Sequence, residues 1–153
     1  MIRIGIAGFG KIGKLRYEIL KSHEKFDVVA VLEKDKNVLT PLNIIRVASY
    51  AELLELDIDA IFICAFNDVL ADYTIEAIKK GINVFCEKPP ARTVKELEKV
   101  QTAIQNSNVV LKYGFNHRYH YSVTEAIRLI NENDFGKLLT FRGIYGKAGS
   151  IDY

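Results

Sequence analysis

Apolar residues fall in short blocks separated by longer mixed stretches: IRIGIA at 2–7, VVAVL at 28–32, AIFICA at 60–65, INVFCE at 82–87 and VVLKYG at 109–114. Most of these blocks are continuously apolar, as in strands covered on both faces of a parallel sheet. Between them apolar positions recur at helical spacing: Ile12, Leu15, Ile19 and Leu20 after the first block, and Leu70, Ala77 and Ile78 before Gly81, a residue suited to a helix end. Ser49 with Glu52, Thr93 with Glu96 and Ser122 with Glu125 fit the capping box, in which a hydroxyl accepts from the amide three residues on and a glutamate reaches back. Helical stripes follow each: Leu53 and Leu56, then Leu97, Val100 and Ile104, then Ile127 and Ile130. The predicted order is βαβαβαβαβα, and right-handed crossovers turn it into an α/β fold with a doubly wound parallel sheet. Residues 36–47, with Pro41 and the run IIRV, admit a loop, a short strand or both. KLLTFRGIYG at 137–146 reads as a strand with no crossover helix behind it.

Composition narrows the class without changing this picture. A chain of 153 residues, 49% hydrophobic and 26% charged, fits one ordinary globular domain and excludes disorder, collagen and small disulfide scaffolds. Lys plus Arg is 21 and Asp plus Glu 19; the net charge of +2 provides no basic field for nucleic acid or a membrane surface. The first apolar run is short and broken by Arg3, and no later run approaches the ~20 apolar residues of a span, so a soluble, cytoplasmic protein is expected. Cys64 and Cys86 lie inside apolar blocks and are expected to be buried free thiols, although adjacent strand ends bring them near enough for a pair to be weighed.

Gly8-Phe9-Gly10-Lys11-Ile12-Gly13 reads G-x-G-x-x-G directly after a strand and before a helical stripe. The first glycine permits the tight turn, the second lets the backbone approach a pyrophosphate, and the third lets helix and strand pack closely. The helix N-terminus then offers amides and a positive dipole end to the anion. Glu33, 20 residues past Gly13, stands where an acid accepts from the adenosine ribose 2′-hydroxyl, which favours NAD. Lys34 beside it is the cation that would accommodate NADP, and a solvated E-K-D-K turn is the plain alternative. Cys86-Glu87-Lys88-Pro89-Pro90 follows a strand at the carboxyl edge, where open α/β sheets hold their ligands. A lysine there suits hydrogen bonding to a substrate hydroxyl and proton transfer; a solvated surface turn is again the alternative. His117 and His120 are three apart with no third ligand in a recognisable pattern, so no metal is expected.

GFGKIG, the run AFND at 65–68, CEKPP at 86–90 and YGFNHRYH at 113–120 occur in the order that resembles the Gfo/Idh/MocA oxidoreductase family. The resemblance implies a dinucleotide-binding Rossmann domain over 1–120, followed over 121–153 by a connecting helix and the first strand of a truncated substrate and oligomerisation domain. It implies that Lys88 binds substrate and acts in catalysis beside the nicotinamide, while Glu87 and Pro89 shape the cofactor pocket. AFND stands where T-P-N-H is common: Ala65 and Asn67 fall at cofactor positions, while Phe66 and Asp68 depart. Asn116 and Arg118 match the GFN-x-R segment near the substrate, and the H-R-x-H variant is similar to members acting on nucleotide-linked or N-acetylated sugars. The implied parent is an NAD(P)-dependent dehydrogenase of a sugar or nucleotide-sugar hydroxyl and a homo-oligomer, of which this chain is an inactive portion. A non-catalytic nucleotide-binding module with the same fold is the rival reading.

Overall fold

The computed structural model describes residues 1–133, 136–144 and 146, in two compact units, Met1–Phe115 and Asn116–Tyr153. In the first unit every apolar block becomes a strand: β1 (Ile2–Ala7), β2 (Phe26–Leu32), β4 (Ala60–Ile63), β5 (Asn83–Cys86) and β6 (Leu111–Tyr113). The undecided stretch resolves as loop and strand both, because Ile45–Val47 forms β3 against Ala30, Val31 and Leu32. The sheet therefore has six strands in the order β3-β2-β1-β4-β5-β6, with every pair parallel. Strand order reverses between β1 and β4, so the loops leaving their carboxyl ends diverge and open a crevice.

The connections are α1 (Lys11–Lys21), α2 (Tyr50–Leu54), α3 (Leu70–Lys79) and α4 (Val94–Gln105). One core cluster gathers Leu53, Ile61, Ile63, Leu70, Ala77, Val84, Cys86 and Val100. The other gathers Ile4, Ile6, Phe9, Tyr17, Leu20 and Val31. Both faces of the sheet are thus buried, which is why its strands carry so little alternation.

Helix α1 departs from the expected stripe. It buries Gly13, Tyr17 and Leu20, and leaves Ile12, Leu15 and Ile19 exposed. A Cβ on Gly13 would lie 2.0 Å from the Gly8 carbonyl oxygen, so residue 13 must face the loop after β1. That requirement sets the rotation of the helix, and positions 17 and 20 turn inward with it. Helix α4 likewise leaves Leu97 38% exposed and buries Val100.

Two expected caps form. Ser49 Oγ accepts from Glu52 N–H at 3.2 Å and Thr93 Oγ1 from Glu96 N–H at 3.1 Å. Each glutamate reaches back one residue further than the cap, to the amides of Ala48 and Arg92. These bonds hold the Glu52 and Glu96 carboxyls below the usual carboxylate range.

The second unit holds a 3₁₀ turn, Asn116–Tyr119, and α5, Tyr121–Asn131. The expected Ser122–Glu125 cap does not form. His120 is the extended N-cap residue, Ser122 Oγ lies 2.8 Å from His120 Nδ1, and Arg128 takes the Glu125 carboxylate at 2.8 and 3.0 Å. An ion pair three residues on has captured the glutamate that the cap needed. Ile127 and Ile130 are exposed on this helix. Residues 137–144 and 146 form no strand, contrary to the pattern; a strand requires a partner to receive its backbone groups. Tyr145 and residues 147–153 of the expected strand and tail lie outside the described residues.

Candidate functional site

The loop leaving β1 is shaped by its glycines in three different ways. Gly8 has φ +95°, and a Cβ there would stand 2.6 Å from the Cys64 carbonyl oxygen at the end of β4. Gly13 faces Gly8, as described above. Gly10 has an ordinary extended backbone, and nothing lies within 4 Å of where its Cβ would be. The open space thus lies beside the second glycine, at the start of α1. No side chain caps this helix and no acid occupies its first turn, so its positive end faces that space. Lys11 and Ile12 are exposed on the first turn, whereas Phe9 is buried, its ring edge-on to Tyr17 at 5.7 Å.

Glu33 leaves the carboxyl end of β2 half-buried, and both its oxygens are engaged. Oε2 accepts from Phe9 N–H at 3.1 Å, inside the glycine loop, and Oε1 accepts from Asp35 N–H at 2.9 Å. The acid therefore sits against the loop and keeps further lone pairs for another donor. Lys34 is exposed. Past β4, Ala65 is half-buried and Asn67 exposed, while Phe66 is 87% exposed.

Beyond β5, neighbouring charges take opposite directions. Glu87 is buried, and its Oε1 accepts from Arg16 Nε at 2.7 Å and Arg16 Nη2 at 2.5 Å. The Arg16 guanidinium carbon lies 5.1 Å from the centre of the Phe85 ring. A Cβ on Gly114 would come within 2.7 Å of Glu87 Oε2, so Gly114 leaves room for the carboxylate on its other side. Lys88 is exposed, Pro89 half-buried, and the peptide between them is cis. No sequence motif marks Arg16. Its only local signal is a cation three residues past the third glycine, and its partner is 71 residues away.

The two thiols are free, with Cys86 buried and Cys64 half-buried. Cys86 belongs to one core cluster and Cys64 packs against the other, so they lie on opposite faces of the sheet and do not approach as a pair. Burial pushes Cys64 up to about 12, with the nearby Glu87 charge adding to the shift, and pushes Cys86 up to about 11. Asn116 and Arg118 are exposed on the 3₁₀ turn of the second unit. Among the described residues no group of three or more His, Cys, Asp or Glu side chains is placed to hold a metal ion. No described helix is long and apolar enough to cross a membrane.

The glycine loop, the acid at the end of β2 and the lysine past β5 all stand at one edge of the sheet. Residues 2–115 match the model of the GFO_IDH_MocA family, described as "Oxidoreductase family, NAD-binding Rossmann fold". The chain belongs to the Gfo/Idh/MocA oxidoreductase family. It is 35% identical over 96 residues to levoglucosan dehydrogenase of Pseudarthrobacter phenanthrenivorans, a stretch covering 63% of this chain and 25% of that protein. The crystal structure of myo-inositol 2-dehydrogenase from Lactobacillus plantarum superposes with a TM-score of 0.82 at 29% identity, over 90% of this chain and 43% of the other. Scyllo-inositol dehydrogenase from Lactobacillus casei, solved with NAD(H) and scyllo-inositol bound, gives 0.79 at 25% identity, over 89% and 42%. The chain thus spans less than half the length of these relatives, and its first unit is their NAD-binding Rossmann domain.

Proposed function

We propose that this chain is the cofactor-holding portion of a dehydrogenase that moves hydride between a hydroxyl-bearing carbon of a sugar or polyol and the nicotinamide of NAD. One observation carries the reading: open space at an uncapped helix start, a carboxylate bonded to the same loop, and an exposed lysine beside a buried ion pair share the carboxyl edge of one sheet. Gly8, Phe9, Gly10, Lys11, Ile12 and Gly13 form the pyrophosphate loop, and its amides do the binding. Glu33 accepts from the adenosine ribose hydroxyls and repels a 2′-phosphate, so NAD is favoured over NADP despite Lys34. Ala65, Asn67, Glu87 and Pro89 shape the remainder of the cofactor site.

When bound, NAD supplies the hydride acceptor at C4 of its nicotinamide. Lys88 would hydrogen-bond the substrate hydroxyl and, as the free amine, would receive the proton of that hydroxyl, becoming the ammonium. Asn116 and Arg118 bind other hydroxyls of the substrate. The polyhydroxylated substrates named for the similar proteins support a compound of this class. The run His117-Arg118-Tyr119-His120 supports a nucleotide-linked or N-acetylated sugar within it. Leu139, Phe141 and Ile144, at 84, 79 and 85% exposure, support self-association, and the two free thiols support a reducing, cytoplasmic setting.

Titration of the chain with NADH and NADPH, followed by calorimetry, tests the reading. Saturable binding with NADH the tighter ligand is expected. Tighter NADPH binding refutes the role of Glu33, and no binding of either refutes the site.

A further inference from the structure

The turn that leaves β2 is held from beneath by a residue outside every motif named above. Arg46 lies on β3 in register with Val31 of β2. Its Nε donates to the Glu33 carbonyl at 3.1 Å, Nη1 to the Val38 carbonyl at 2.9 Å and Nη2 to the Asp35 carbonyl at 2.5 Å. A guanidinium is a rigid fork, so satisfying three carbonyls at once sets the direction of three peptide groups in residues 33–38.

The polar contacts of the turn follow from those directions. Asp35 N–H points back to Glu33 Oε1 at 2.9 Å, while Glu33 Oε2 meets Phe9 N–H at 3.1 Å. Val38 N–H closes on the Asp35 carbonyl at 3.0 Å, and Asp35 Oδ1 accepts from Asn37 N–H at 2.9 Å. Glu33 is therefore placed twice: through its own carbonyl, held by Arg46, and through the N–H of Asp35, a residue whose carbonyl Arg46 also holds.

We infer that Arg46 is a positioning residue for cofactor selection, holding the 33–38 turn so that the Glu33 carboxylate stays against the glycine loop. The inference rests on the reading of Glu33 as the ribose acceptor. It makes a prediction opposite in sign to that of charge alone. Removing a cation near the adenosine end, by Coulomb's law, weakens NADPH more than NADH and raises the preference for NADH. Releasing the turn lets Glu33 leave the ribose and let in a 2′-phosphate, which lowers the preference.

The test is calorimetric titration of wild type, Arg46→Ala, Arg46→Lys and Glu33→Gln with NADH and with NADPH, the thermal midpoint being recorded for each. The ratio of NADPH to NADH dissociation constants is expected to fall about tenfold in Arg46→Ala, chiefly through weaker NADH, the loss of one well-made charge-assisted hydrogen bond. Arg46→Lys is expected to fall between, since an ammonium replaces only part of the fork. A ratio unchanged or raised in a folded Arg46→Ala overturns the inference, while a merely structural role weakens both cofactors alike and leaves the ratio where it was. Should Arg46→Ala not fold, Arg46→Lys decides: a lowered ratio supports the clamp and an unchanged one overturns it. Glu33→Gln separates the two layers, because an unchanged ratio there refutes the ribose reading itself, whereas a collapsed ratio beside an unchanged Arg46 series refutes only the clamp.

Discussion

Replacing Arg16 by methionine removes the charged partner that Glu87 has among the described residues while keeping much of the stem's apolar packing. The side chains of the pair are 15% and 11% exposed, so the remaining carboxylate stays largely out of water. Two donors to Oε1, at 2.7 and 2.5 Å, are lost together with the guanidinium over Phe85 at 5.1 Å. Breaking a buried pair from one side costs about 3–5 kcal/mol. The small exposed edge of Glu87 admits some water and places the cost near the lower end, about 3 kcal/mol. At this chain length, roughly 2–4 °C per kcal/mol translates that into a midpoint lowered by about 6–12 °C. Urea unfolding followed by circular dichroism measures the free-energy loss and thermal unfolding the midpoint, and the double-mutant cycle isolates the pair. Glu87→Gln in the Arg16→Met background removes the stranded charge, so the double variant should be less destabilised than the sum of the singles by about 2 kcal/mol. A single-variant loss under about 1 kcal/mol, or additivity within about 0.5 kcal/mol, refutes the account of a buried pair tying α1 to the end of β5.

In a dehydrogenase that carries this chain, Lys88→Met is expected to lower kcat by about 10²–10⁴-fold with NAD affinity little changed; more than a tenth of wild-type kcat would make Lys88 a turn residue only. Cys64 and Cys86, raised to about 12 and about 11, stay protonated in the fold where the unfolded thiols ionise. Their contribution to stability is complete below the ordinary thiol range and is lost as pH climbs through the raised values, so the urea midpoint should fall between pH 8 and pH 11. The Cys64→Ser/Cys86→Ser variant should lose that part of the decline, and an identical slope would refute it. Light scattering should show self-association of the whole chain and less of it in a chain ending at residue 134, because the exposed Leu139, Phe141 and Ile144 are then gone; a strictly monomeric whole chain contradicts this.

What was legible in the sequence was set by short-range rules. Continuous apolar blocks mark strands buried on both faces, and Ser49 and Thr93 cap as their spacing requires. G-x-G-x-x-G acts through backbone geometry, so the tight turn at Gly8 and the close approach at Gly13 could be assigned before any contact was known. What was not legible depends on distance or on competition. Arg16 and Glu87 are 71 residues apart, and Arg46 meets Glu33 only because β3 lies beside β2. The α1 stripe is only partly followed, because one glycine's approach to Gly8 outranks Ile12, Leu15 and Ile19 in setting the helix rotation. At Ser122 the pattern was present, but Arg128 competed for Glu125 and won.

NADH titration of wild type and Gly10→Val tests the central claim most directly. The backbone at residue 10 needs no glycine for its dihedral angles, and a Cβ there meets nothing within 4 Å, so the valine variant should fold with only a small loss at the helix cap. Its side chain would fill the space through which a pyrophosphate approaches the amides. Saturable NADH binding by wild type and none by a folded Gly10→Val is the predicted result. Equal binding by the two chains would contradict the placement of the cofactor on this loop.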